Sequence, residues 1–191
     1  MPSARSDASG RAALEALRDL HAELDRAAEQ VASRVAPRLQ CARGCSACCL
    51  DDLTVAPVEA ERIRVAAPAL LEEGEPGPIG ACAFLDADGA CRVYADRPSV
   101  CRTQGLPLRV FYENDDDEIV EHRDICALNL DGGPPLDQLD EADCWLVGPH
   151  ELKLAAIDDR FVDASGVGAA RVPLRTLFRR SPRATGSTAS R

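Results

Sequence analysis

Cys41-Ala42-Arg43-Gly44-Cys45-Ser46-Ala47-Cys48-Cys49 holds four thiols within nine residues, in the spacing C-x3-C-x2-C-C. The stretch is too short, and too interrupted by glycine, to be the interior of a helix, so it reads as a loop. Thiolates crowded in this way repel one another, and neutral thiols gain little from clustering. The arrangement makes sense where a cation draws off the protons. Sulfurs three and four residues apart can turn onto one face of a metal ion or cluster, with Gly44 freeing the backbone to curl. The loop therefore decides the fold class: a small, helix-rich α+β domain with short hairpins, stapled by a cysteine metal cluster.

Three more cysteines follow at Cys82, Cys91 and Cys101. Cys82-Ala83-Phe84-Leu85 and Cys91-Arg92-Val93-Tyr94 flank Asp86-Ala87-Asp88-Gly89, and Asp-Gly between short apolar runs predicts a hairpin that brings Cys82 and Cys91 together. Cys48 and Cys49 are adjacent, so their side chains diverge and do not easily serve one zinc ion. The thiols then divide between two sites, or between one site and a neighbouring thiol. One arrangement sends Cys41, Cys45 and Cys48 to a first centre and Cys49, with Cys82, Cys91 or Cys101, to a second; spacing leaves the pairing open. The candidate ligand set is Cys41, Cys45, Cys48, Cys49, Cys82, Cys91, Cys101 and Cys126. Cys144, beside Trp145, reads as a packed residue.

Outward from the loop, residues 10–39 place Leu14, Leu17, Leu20, Leu24, Ala28, Val31 and Val35 three or four apart, which predicts one long amphipathic helix. His21 reads as a residue at the edge of its apolar stripe. A second helix is expected over 57–71, with Pro57 in its first turn, Thr54 as a cap and Pro68 ending or kinking it. Residues 109–113 and 119–122 flank an acidic tip and predict another hairpin. That tip lacks the spaced ligands and central glycine of a calcium loop and reads as a solvated turn. Gly148-Pro149 opens a further helix, with His150 exposed in its first turn. The pattern implies a single domain over 10–178 with its signature core at 41–105, a disordered N-terminus at 1–9 and a disordered basic tail at 179–191.

The chain has 32 acidic and 22 basic residues, a formal charge of -10, which repels a phosphate backbone and argues against nucleic acid as a partner. No stretch has the roughly 18 consecutive apolar residues of a membrane span, and residues 1–10 lack the apolar block of a secretory signal. The expectation is a cytoplasmic protein, where thiols stay reduced and cysteine patterns mean metal or redox chemistry rather than disulfides. The odd count of nine cysteines points the same way.

The Cys48-Cys49 loop end, the following Glu59-Ala60-Glu61-Arg62-Ile63, then Cys82-x-Phe84-Leu85, Cys91-Arg92-Val93-Tyr94 and Arg97-Pro98-x-x-Cys101-Arg102 together resemble the YkgJ-like cysteine-cluster family. That family is described as zinc- or iron-chelating and is known by a CxxCxxCC signature. The resemblance spans residues 41–105, with one departure: three residues rather than two separate Cys41 from Cys45. It implies cysteine ligation of zinc or an iron-sulfur cluster, and a short turn or helix presenting Cys101. A relative that methylates lysine in flagellin looks similar over the cysteine signature, which makes protein lysine methylation a conceivable extension.

Two functions follow. The first is a metal-binding module acting through a protein partner; the second is an enzyme or electron carrier built on an iron-sulfur centre. Thiolate ligands suit both. The spacing Cys41-x3-Cys45-x2-Cys48 also matches the three-thiolate signature of radical-SAM enzymes, but the chain lacks the βαβ succession of their barrel. His122 is the one histidine near a predicted strand end, and nothing brings a nucleophile to it.

Overall fold

The computed structural model describes residues 4–179. Helix α1 spans Ala4–Arg34. It starts before the expected 10, so residues 4–9, assigned to a disordered N-terminus, are helical. From residue 180 the basic tail lies outside the described residues.

The apolar stripe of α1 does what its period predicts: Leu17, Leu20, Leu24 and Ala28 are buried. They pack with Ile157 and Phe161 of α5 (Pro149–Ser165) in one hydrophobic core. Helix α5 begins with Pro149, whose missing N–H costs nothing at that position, and ends at Gly166 in the left-handed conformation (φ 69°).

Helices α2 (Pro57–Ala66) and α3 (Pro68–Glu73) are the two halves of the single helix expected over 57–71, and Pro68 makes the break. Thr54 is not the cap. It belongs to strand β1 (Thr54–Val55), which pairs antiparallel with β5 (Val172–Pro173). The first turn of α2 is held instead by carboxylates: Glu59 accepts from Ala56 N at 3.3 Å, and Asp158 of α5 accepts from Val58 N at 2.8 Å. Helix α2 also divides the interior. Val58 faces the α1–α5 core, whereas Ala60 and Ile63 face a second core with Phe84, Val93, Leu174 and Phe178.

Helix α4 is a single turn, Ser99–Arg102. The hairpin expected over 109–122 is present as β2 (Leu108–Glu113) and β3 (Ile119–Asp124). Its tip closes on itself, Asn114 Oδ1 accepting from Asp116 N at 3.0 Å and Glu118 N at 2.9 Å. Strand β4 (Trp145–Leu146) lies parallel to β2, giving the order β3-β2-β4.

The other expected hairpin is present in minimal form: Leu85 and Cys91 form an antiparallel bridge, with Asp86 N donating to Ala90 O and Arg92 N to Phe84 O, each at 2.9 Å, but the pairing does not extend into full strands. The Arg92 guanidinium also takes the carbonyls of Glu75, Ala83 and Phe84, at 2.8, 2.7 and 3.4 Å, which ties the turns together. The Asp-Gly turn survives, with Asp86 Oδ1 accepting from Asp88 N and Ala90 N.

The architecture is α+β, dominated by helix. Among the described residues no helix is long and apolar enough to cross a membrane.

Candidate metal centre

Seven cysteines, Cys41, Cys45, Cys48, Cys49, Cys82, Cys91 and Cys101, line one cavity of about 530 Å³. They come from the 41–49 loop, the 82–91 turns and α4, so segments far apart in sequence converge. Phe84, Val93 and Leu174 of the second core also contribute to the wall. Cys82 is buried, Cys45, Cys48, Cys49, Cys91 and Cys101 are partly buried, and Cys41 is exposed.

Each cysteine segment is tied down by polar groups that strand pairing would otherwise supply. Cys82 N donates to Cys49 O at 2.9 Å, and Arg92 pins the carbonyls between Cys82 and Cys91. Cys101 is presented by α4, whose Ser99 N donates to Glu59 Oε1 at 2.7 Å. Arg102, almost fully buried, binds Asp25 Oδ2 at 2.6 Å and the carbonyls of Arg97 and Ala95. Cys41 rests on Gly105 (φ 92°), where a Cβ would overlap its sulfur, and Asn129 Nδ2 donates to that sulfur at 3.5 Å. The loop tips meet through bare backbone: a Cβ on Gly89 would lie 3.0 Å from Gly44 O.

The electrostatics are those of crowded, partly desolvated thiols. Burial, then the neighbouring Cys82, Cys91 and Glu59, pushes Cys101 up to about 12. Burial also raises Cys82 and Cys91. Cys49 donates its proton to Cys48; that bond pulls Cys48 down to about 6 and pushes Cys49 upward. Cys48, Cys49, Cys82 and Cys101 are near enough that charge on one disfavours charge on another. A bound cation would reverse that repulsion.

Among the described residues, no three Cys, His, Asp or Glu side chains close around one point as ligands of a single ion would. The seven cysteines share one cavity instead. A tetrahedral zinc site takes four sulfurs at ~2.3 Å from the ion. The donor set fits zinc and iron-sulfur clusters alike, because both take soft thiolates.

Cys126, counted among the candidate ligands, does not line the cavity; it leads into a 3₁₀ turn at Ala127–Asn129. Cys144 is buried beside Trp145, and burial raises its thiol. His21 is not an edge residue: it is 2% exposed, its Nε2 3.6 Å from Glu59 Oε1, beyond hydrogen-bond reach. His150 is half-buried rather than exposed, its ring 4.7 Å from that of Trp145. His122 is exposed on β3, edge-on to Tyr112.

Asn129 and Arg175 escaped the sequence reading, since each acts on cysteine segments far away in the chain.

No curated protein and no solved structure matches the chain. Residues 40–127 match the model of the CxxCxxCC family, described as a "putative zinc- or iron-chelating domain". The matched span, a little under half of the chain, holds all seven cavity cysteines, so the likeness to this family falls on the segment that builds the cavity.

Proposed function

We propose that the chain is a metal-binding protein that holds zinc or an iron-sulfur cluster in the cysteine cavity. Cys48, Cys49, Cys82, Cys91 and Cys101 are the central ligands in this reading, and the Cys41–Cys45 loop covers them. The observation that carries it is the gathering of seven thiols from three parts of the chain around one space. Free cysteines packed for their hydrophobicity would have no reason to face one another across a cavity.

The number of thiols supports a second, narrower reading. Seven are more than the four that one tetrahedral ion takes, which suits a multinuclear centre. An iron-sulfur protein, acting as an electron carrier or enzyme, is the form this takes.

Anaerobic purification followed by metal and acid-labile sulfide analysis, with a visible spectrum, tests both. A brown, sulfide-containing protein supports the cluster, and a colourless one with stoichiometric zinc supports a zinc centre. Protein without bound metal, which also fails to take up either on reconstitution, defeats both readings.

A further inference from the structure

The family match ends at residue 127, yet the cavity is completed by the far end of the described chain. Strand β5 pairs with β1 and leads into a 3₁₀ turn, Leu174–Leu177. Leu174 lines the cavity, and its N–H donates to Leu53 O at 2.9 Å. The next residue, Arg175, turns its guanidinium toward the two segments that carry Cys49 and Cys82.

Every nitrogen of that guanidinium is used. Nε and Nη2 donate to Asp51 Oδ1 at 2.9 and 2.8 Å, and Nη1 donates to Gly77 O at 2.7 Å. Nη2 also donates to Pro78 O at 3.0 Å and Ala81 O at 2.8 Å. Asp51 completes the link by accepting from Gly80 N through its second oxygen, at 2.9 Å. Asp51 follows Cys49 by two positions, and Ala81 immediately precedes Cys82. Between these anchors run the Leu50–Ala81 bridge and the bond from Cys82 N to Cys49 O. Only a planar, forked cation can hold a carboxylate and three carbonyls at once; a lysine at this place could reach the carboxylate as a point charge but not the whole set.

We infer that Arg175 is a positioning residue for the metal centre: clamping Asp51 to the 77–81 turn, it holds Cys49 and Cys82 in the register that turns both sulfurs into the cavity. The inference rests on the metal-binding reading above and adds to it a determinant outside the family-matched span. Outer partners that orient metal ligands typically contribute about 10- to 100-fold in affinity.

The test uses the full chain, wild type and Arg175→Met, Arg175→Lys and Arg171→Met. Arg171 is the control: it binds Thr54 O and Oγ1 at the outer end of the same strand pair and touches no cysteine segment. Cadmium is titrated into each protein while the ultraviolet thiolate-to-metal band is followed, and the loaded protein is challenged with a chromogenic chelator. Circular dichroism and thermal melting establish that each variant is folded at the assay temperature. Arg175→Met is expected to bind about 10- to 100-fold more weakly and to release metal faster, Arg175→Lys to be intermediate, and Arg171→Met to match wild type.

A folded Arg175→Met with wild-type affinity and release overturns the inference, even if it melts lower. Should Arg175→Met fail to fold, Asp51→Asn removes the charged partner while keeping its shape. Weaker binding by folded Asp51→Asn upholds the inference, and unchanged binding overturns it. A wild-type chain that develops no thiolate-to-metal band defeats the metal reading itself, and the inference falls with it. A wild-type band that Arg175→Met leaves unaltered defeats the positioning role alone.

Discussion

Asn129 Nδ2 lies 3.5 Å from the sulfur of Cys41 and 2.7 Å from Gly105 O, while Asn129 Oδ1 accepts from Gln40 N at 2.8 Å. One wholly buried amide thus joins the exit from the N-terminal helical segment, the Gly105 turn and the first cysteine of the loop. Replacing Asn129 by Ala strands a buried carbonyl and a backbone N–H, and is expected to lower unfolding stability by about 2–4 kcal/mol, since each such group costs ~1–3 kcal/mol. Gly105→Ala faces both the left-handed backbone and overlap with the Cys41 sulfur, and is expected to be at least as damaging. Urea denaturation of both variants checks this, and wild-type midpoints would contradict the described seat for Cys41.

The cysteines are predicted to separate into two classes by metal content. Cys48→Ser, Cys82→Ser and Cys101→Ser should each weaken binding by more than the ~10–100-fold typical of an outer partner. Cys126→Ser and Cys144→Ser should retain wild-type stoichiometry, because neither thiol lines the cavity. Elemental analysis of the five proteins after one purification scheme measures the contrast, and the opposite ranking would refute the ligand assignment.

Stripping the metal is predicted to act unevenly. The cavity borders the core built on Ile63, Phe84 and Leu174, whereas the α1–α5 core, with Leu17, Leu24 and Phe161, has its own apolar packing. A chelator should therefore speed amide hydrogen exchange in segments 41–53 and 77–101 while protection in α1 and α5 persists. Uniform loss of protection along the chain would show instead that the two cores unfold as one unit.

Acid is expected to weaken the fold through His21 and Glu59. Burial lowers His21 from 6.5, only partly opposed by Glu59. Burial disfavours ionised Glu59, but His21 and the Ser99 N–H outweigh it and leave the carboxyl below 4.5. Both groups bind protons less readily when folded than when unfolded, so stability is intact above the unfolded values and is lost as pH falls. The His21 share fades below 6.5 and the Glu59 share below 4.5. Urea midpoints of wild type should decline between roughly pH 7 and 5 and those of His21→Leu should not. Parallel curves for the two proteins would remove His21 from the account.

Much of the frame was readable because it depends on local period. The leucines of α1, the β2–β3 hairpin with its polar tip, the break at Pro68 and the start of α5 at Pro149 all follow from residues close in sequence. The cysteine loop was conspicuous for the same reason. What escaped was set by distant partners. The Arg92 guanidinium reaches back to the Glu75 carbonyl, and Thr54 pairs with a strand more than a hundred residues away instead of capping α2. His21 is buried where distant elements pack on α1, with Glu59 of α2 beside it at 3.6 Å. Asn129 and Arg175 sit in segments with no motif of their own, and their importance appears only when the chain places them beside Cys41 and the Cys49–Cys82 junction.

The meeting of Gly44 with Gly89 leaves one stretch of the cavity lining without side chains. With no methyl group at either position, one loop comes to lie backbone to backbone against the other, and both glycines hold positive φ, so an alanine at Gly89 would meet Gly44 O at 3.0 Å on a strained backbone. The closeness of the two loops thus depends on what two positions lack.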